Sequence, residues 1–262
     1  MVRPNPIPSI WSAATRAWVD AFHAINRMRA LTFSVCVILL LFHAAEWGIG
    51  IGFADPAASA RSYFETALTQ VLVAVVQAVL LAPFAIAVHR FILLGEVTTG
   101  YWLNPGDRRF RGFAFNAAQL ALLRLAPGLI TAVVARHSMG LGALLVIVLN
   151  IVAIVISVRI VILFPALAVD AARPTWRHAA DDTRGYSWRV FFALFVVALP
   201  LLPLMAILVA PFLVGAIGPG GFHAGLPLVL AAVGASVLAV IITAVLVALA
   251  SRLYRALGNA LA

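Results

Sequence analysis

The sequence predicts an all-α membrane protein with six transmembrane helices, and three observations support this fold class. Of its 262 residues, 64% are hydrophobic and 10% are charged, whereas a soluble domain carries roughly 25% charged residues. The apolar residues form six runs close to the length of about 20 residues that a spanning helix needs. The 18 basic residues, all of them Arg, stand mainly between these runs. This distribution argues against a soluble enzyme, a coiled coil, a disordered chain and a nucleic-acid-binding domain.

We expect one integral membrane domain, residues 1–262, with spans at 31–53, 66–88, 113–135, 140–163, 190–216 and 227–250. Five prolines lie inside these spans: Pro83, Pro127, Pro200, Pro203 and Pro211. Proline kinks a membrane helix, and neighbouring groups must satisfy the freed carbonyls. The kinks either shape the bundle or form a discontinuous helix at a substrate site, as in many transporters.

The positions of the Arg residues predict the orientation. Fifteen lie in segments 1–30, 89–111 and 159–189 and in the tail after residue 250, and two lie in the alternate loops. Because cytoplasmic loops carry the positive excess, we expect both termini in the cytoplasm of a bacterial inner membrane. The net charge of +9 then faces anionic lipid headgroups.

Residues 1–30 predict an amphipathic helix in the headgroup plane. Trp11, Trp18, Phe22 and Ile25 follow helical spacing and share one face, as is typical of interfacial helices. A docking helix for a partner protein has the same pattern. The residues expected at the membrane interface are Trp11, Trp18, Arg27, Arg90, Trp102, Arg111, Arg159, Trp176, Arg184, Trp188, Arg189 and Arg252.

A repeated Trp predicts an internal repeat. Trp18, Trp102 and Trp176 each stand 13 residues before a residue at or near the start of an odd-numbered span, namely Leu31, Phe115 and Arg189. An Arg follows each Trp after eight or nine residues. We therefore expect three tandem units, each an interfacial segment followed by a helical hairpin. The alternative is convergence, because membrane interfaces favour Trp and Arg in any case.

A polar layer is expected at mid-membrane depth. Arg124 lies near the middle of the third span, where an Arg costs about 2.5–3.5 kcal/mol on insertion. Its charge needs a partner or water. Candidate members of the layer are His43, Glu46, Gln77, Arg124 and Asn150. Two roles stay open: structural glue, with one carboxylate neutralising Arg124, or a path for an ion, proton or substrate.

The sequence contains no recognisable catalytic constellation, and we expect no cofactor and no metal. Cys36, the single cysteine, excludes an internal disulfide. His178, Asp181 and Asp182 could in principle hold a metal, but adjacent acids among Arg residues are more typical of a solvated or salt-bridged helix face. The expected partners are anionic membrane lipids and either a membrane-protein complex or a second copy of the chain.

Residues 159–189 resemble a known group of proteins. The run from Phe164 to Asp170 follows Arg159, and Trp176 and Trp188 come after it. This pattern is similar to the cytoplasmic segment of bacterial YciC-like proteins and of the membrane domain of glycerophosphodiester phosphodiesterases. The resemblance implies a six-span inner-membrane protein and no settled activity.

These observations favour a non-enzymatic accessory, scaffold or assembly subunit that binds lipid or a membrane-protein partner. A small-solute or ion transporter or channel with a polar site around Arg124 is the alternative. A membrane enzyme acting on lipid comes third, because the Arg-rich rim could hold a phosphate headgroup.

Overall fold

The computed structural model describes residues 9–48, 60–134, 138–207, 226–258 and 261. These residues form an all-α bundle with helices α1 Ile10–Arg27, α2 Arg29–Gly48, α3 Ala60–Leu94, α4 Arg108–Val134, α5 Met139–Ile160, α6 Leu163–Ala168, α7 Trp176–Asp182, α8 Ser187–Ala198, α9 Leu201–Ile207 and α10 Leu226–Leu257. Side-chain caps begin several of them. Ser9, Ser138 and Thr175 each accept a hydrogen bond from the backbone N–H three residues later, as N-cap residues do.

The helices identify a multi-pass membrane protein. Five of them, α2, α3, α4, α5 and α10, are long and apolar enough to cross a membrane, and they coincide with five of the six expected spans. The expected span 190–216 corresponds to α8 and α9, which meet at a bend of 41° and together make a sixth candidate. The part of that span beyond residue 207 lies outside the described residues.

The span prolines differ in their effect. Pro83 lies inside α3 and Pro127 inside α4, and both helices continue through them. Pro200 lies at the break between α8 and α9, Pro203 lies within α9, and Pro211 is outside the described residues. Of the kinks expected from sequence, the bend at Pro200 is therefore the one that interrupts a span in the described part of the chain.

Helix α10 is the centre of the bundle. It packs against α1, α2, α3, α6 and α8, and its residues Ala244, Val245, Ala248 and Leu249 are fully buried. The other long helices form successive antiparallel hairpins, since α2 packs on α3 and α4 on α5. Helix α4 also packs along α3. The bundle thus has a side made of α1, α2 and α10 and a side made of α4 and α5.

Helix α1 docks on the bundle through small residues that the sequence interpretation did not use. Its buried face consists of Ala13, Ala14, Ala17, Ala21 and Ala24 and packs on α8 and α10. Small residues spaced by three or four let two helix backbones approach closely. The expected apolar face is divided: Trp11 and Phe22 stay exposed, whereas Trp18 and Ile25 pack against the core. Helix α1 is amphipathic as expected, but alanines attach it to the protein.

The three Trp-containing segments have different structures. Trp18 lies in α1 and its indole N–H donates to the Val197 carbonyl at 3.2 Å. Trp102 lies in the non-helical segment between α3 and α4 and is 79% exposed. Trp176 is the first residue of α7 and donates to Asn116. The order of the helical hairpins fits three units, but the segments that precede them are not structurally equivalent.

Candidate intramembrane binding groove

A groove lies between α4, α5 and α8 at the side of the bundle away from α2. It has a volume of about 450 Å³. Its polar residues are Arg124, Asn150 and Ser157, and its apolar walls are Ala153, Ile154, Val158, Phe191, Leu194 and Phe195. We call it the Arg124 groove. Arg124 itself is exposed in the bundle, so the guanidinium group faces whatever occupies the groove.

Arg124 is far from both ends of its helix. It lies 16 residues beyond Arg108, about 24 Å, and ten residues before Val134, about 15 Å, at 1.5 Å per residue. Asn150 lies ten residues before the end of α5 at Ile160, about 15 Å. In a bilayer whose hydrocarbon is about 30 Å thick, both side chains lie near the middle.

The groove contains no negative charge of its own. Helices α4, α5 and α8 contain neither Asp nor Glu. Among the described residues, no carboxylate lies within ion-pair distance of Arg124, although ion pairs form elsewhere at Arg90, Arg109 and Arg252. The charge of Arg124 is therefore not neutralised by the helices that form the groove.

The polar neighbours of Arg124 in the groove are neutral and already bonded. The Asn150 side-chain amide donates to the Val146 carbonyl at 2.7 Å, and the Ser157 hydroxyl donates to the Ala153 carbonyl at 2.7 Å. Both bonds stay within α5. These groups make the groove more polar but do not balance a cation, so the positive charge remains its dominant chemical feature.

The structure divides the expected polar layer. It brings Arg124 and Asn150 together in the groove, whereas His43 lies in α2, which packs on α3 and α10. There the His43 Nδ1 is 3.0 Å from the Ser236 hydroxyl of α10. Glu46 is half-buried two residues before the end of α2, and Gln77 is half-buried on α3. Depth along each span can be estimated from the sequence, but which spans become neighbours cannot. The five residues were therefore expected in one layer.

Two histidines, one on α2 and one on α3, form pairs with serines of α10, and the sequence did not predict either pair. Besides His43 and Ser236, the His89 Nδ1 is 2.8 Å from the Ser251 hydroxyl, and His89 and Ser251 are fully buried. Each Ser hydroxyl also donates to the carbonyl four residues before it. The ring Nδ1 therefore carries the hydrogen in both pairs. The signal in the sequence that could have indicated these pairs is two serines, Ser236 and Ser251, within a largely apolar span.

An ion-pair network joins helices at the Arg-rich end of the bundle. The Arg90 guanidinium makes two bonds of 2.7 Å to Glu96 and a third to the Ala168 carbonyl. Arg109 donates to Asp170, which holds the pKa of that carboxyl below its ordinary value. Asp170 is exposed and has a φ of 55°, a left-handed conformation that Asp tolerates better than most residues. The network ties the loop after α6 to α3 and α4.

The expected interface residues divide into two groups. Trp11, Trp102 and Trp188 are 68%, 79% and 74% exposed. Five Arg residues are also exposed, namely Arg27, Arg111, Arg159, Arg184 and Arg189. The other four residues bond within the protein: Trp18 to Val197, Arg90 to Glu96, Trp176 to Asn116, and Arg252 to Asp20. In this second group, Trp18 joins α1 to α8, Trp176 joins α7 to α4, and Arg252 joins α10 to α1.

No protein-family model matches the chain, and comparisons with curated proteins and with solved structures give no match either. The resemblance of residues 159–189 to YciC-like proteins thus remains a prediction.

Proposed function

We propose that this protein is a non-enzymatic accessory or assembly subunit that binds a partner's transmembrane helix in the Arg124 groove. The partner helix carries an Asp or Glu near mid-membrane depth. The observation that supports this function is an Arg in the middle of a span, facing a groove whose three helices contain no acidic residue.

A partner carboxylate is the neutralising group that best fits this position. A long basic side chain near a helix end can reach the headgroups, but Arg124 is about 15 Å from the nearer end of its helix. Intramembrane charges pair with one another or face water, and polar contacts between helices hold membrane complexes together. Ile154, Leu194 and Phe195 would contact the apolar sides of the same partner helix.

The proposed location is a bacterial inner membrane, with the Arg-rich end and both chain termini in the cytoplasm. The support is the distribution of Arg along the sequence: 15 residues lie in alternate segments and two in the others. Cytoplasmic loops carry such an excess. The YciC-like resemblance of residues 159–189 points to the same membrane.

Site-specific photo-crosslinking in native membranes tests the proposed function. A photoreactive phenylalanine replaces Phe195, which lines the groove, and in a matched control it replaces Leu122, which lies at the depth of Arg124 on α4 and is not a groove residue. We expect Phe195 to give one protein adduct that maps to a transmembrane segment with an Asp or Glu. We expect Leu122 to give lipid adducts.

The adduct should also depend on charge. Combining the Phe195 probe with Arg124→Leu should abolish it, and exchanging charges between Arg124 and the partner carboxylate should restore it. Lipid adducts alone at Phe195, or a protein adduct that survives Arg124→Leu, would contradict the proposal.

A small-solute transporter is the second candidate, because the broken span α8–α9 lines the groove with its first half. Discontinuous helices are common at transporter sites. A transporter requires water at Arg124. Reaction of a charged, water-soluble thiol reagent with Phe195→Cys, in a Cys36→Ala background, would favour this function over the accessory subunit.

A further inference from the structure

The junction of α1 and α2 forms a two-part cavity whose chemistry is divided like that of a phospholipid. One part, about 570 Å³, is polar and includes Arg27, Arg29 and Thr99. The other, about 770 Å³, has apolar walls that include Phe22, Phe33 and Cys36. The two parts adjoin each other, because both are lined by His23, Asn26 and Arg29. We call the whole the elbow cavity.

The cations of the elbow cavity are not neutralised within the described residues, and one of them, Arg29, is held in place. The Arg29 Nε donates to the Asn26 carbonyl and to the Asn26 side-chain oxygen, both at 3.0 Å. These neutral acceptors orient the guanidinium and leave its two terminal nitrogens available. In the described part of the chain, neither Arg27 nor Arg29 lies within ion-pair distance of a carboxylate, unlike Arg90, Arg109 and Arg252.

Two further parts of the cavity are set by the fold. Met28, the residue between α1 and α2, is buried in the core, so the junction of the two helices is anchored there. His23 stacks on Phe91 of α3, with ring centroids 5.6 Å apart. The apolar side chains Phe22 and Phe33 are exposed and available to a ligand.

We propose that the elbow cavity is a binding site for one anionic glycerophospholipid of the membrane leaflet at the Arg-rich end. The phosphate binds Arg27 and Arg29, and an acyl chain lies against Phe22, Phe33 and Cys36. The order of cation and apolar wall along α2 matches the order of phosphate and chain in such a lipid.

Cys36 provides a direct readout, because it is the single cysteine of the chain and lines the apolar part. The full-length protein in a neutral detergent is labelled with N-ethylmaleimide, with phosphatidylglycerol or phosphatidylcholine of identical chains added to the micelles. We expect phosphatidylglycerol to slow the labelling of Cys36 and phosphatidylcholine to have little effect. Glycerol phosphate, which has the charge without the chains, should not compete.

The double variant Arg27→Gln/Arg29→Gln should need roughly thirtyfold more phosphatidylglycerol for the same protection, since each Arg near an anionic surface contributes about fivefold. The matched control is Arg173→Gln/Arg177→Gln, which removes two exposed Arg residues outside the elbow cavity and should keep full protection. Labelling without lipid should be equal in all three proteins, which checks that the fold is retained. Equal protection by both lipids, or equal loss of protection in both double variants, would overturn the proposal.

Discussion

Replacing Arg124 by Leu is expected to improve membrane insertion of the chain and to abolish binding of the partner. The substitution removes an insertion cost of about 2.5–3.5 kcal/mol. It also leaves the partner carboxylate buried without its cation. Removing one of the two charged groups of a buried ion pair costs about 3–5 kcal/mol. That loss corresponds to a decrease in affinity of about 100-fold or more. Quantitative co-purification in mild detergent, normalised to the amount of inserted chain, measures both effects.

Arg124→Lys and Arg111→Leu are the controls for this experiment. Lysine keeps the charge without the planar guanidinium, so we expect partial binding. Arg111 is exposed at the start of α4, and its loss should leave binding unchanged. If Arg124→Leu inserts, stays folded and keeps full cellular function, Arg124 has no role in binding. If it lowers the thermal stability of the isolated chain, Arg124 acts as structural glue.

Replacing Ala17 by Phe is expected to be the most destabilising single change in α1. Ala17 is fully buried on the face that packs against α8 and α10, and the close contact leaves no room for a ring. Overpacking costs about 1–3 kcal/mol and occasionally more. The variant should unfold at lower temperature or lower denaturant concentration in detergent, because α1 can no longer dock.

Val19→Phe is the matched control for Ala17→Phe. Val19 lies two residues further along α1 and is 67% exposed, so the same ring should be accommodated without loss of stability. Equal unfolding midpoints for the wild-type protein and Ala17→Phe would show that the alanine face does not hold α1 on the bundle. Equal destabilisation by both variants would also contradict a specific role of the alanine face, because Val and Phe have similar helix propensities and Val19 is exposed.

The membrane fold was predictable from sequence because the bilayer imposes a length and a composition on each span. The five unbroken spans follow from that rule. Helical spacing placed Trp11, Trp18, Phe22 and Ile25 on one face of α1, but Trp18 and Ile25 pack against the core whereas Trp11 and Phe22 are exposed. The alanine face of α1 was not predicted. Alanine is compatible with both core and surface, and large side chains dominate any amphipathic pattern.

The candidate site was predictable in part. A charged residue at mid-membrane depth is visible in any hydropathy profile, so Arg124 could be selected from sequence alone. Its neighbours could not, because helices at the same depth are equivalent until packing is known. His43 pairs with Ser236 on α10, whereas Asn150 shares the groove of Arg124. The effect of a proline is also decided by packing, since α3 continues through Pro83 whereas the sixth candidate span bends at Pro200.

The native mass of the complex extracted from its own membrane in mild detergent shows whether the Arg124 groove holds a partner helix. We expect one copy of this chain with a second polypeptide in a fixed ratio, and dissociation of that complex when Arg124 is replaced by Leu. A particle containing only this chain, with the same mass for the wild-type protein and the variant, would contradict this expectation.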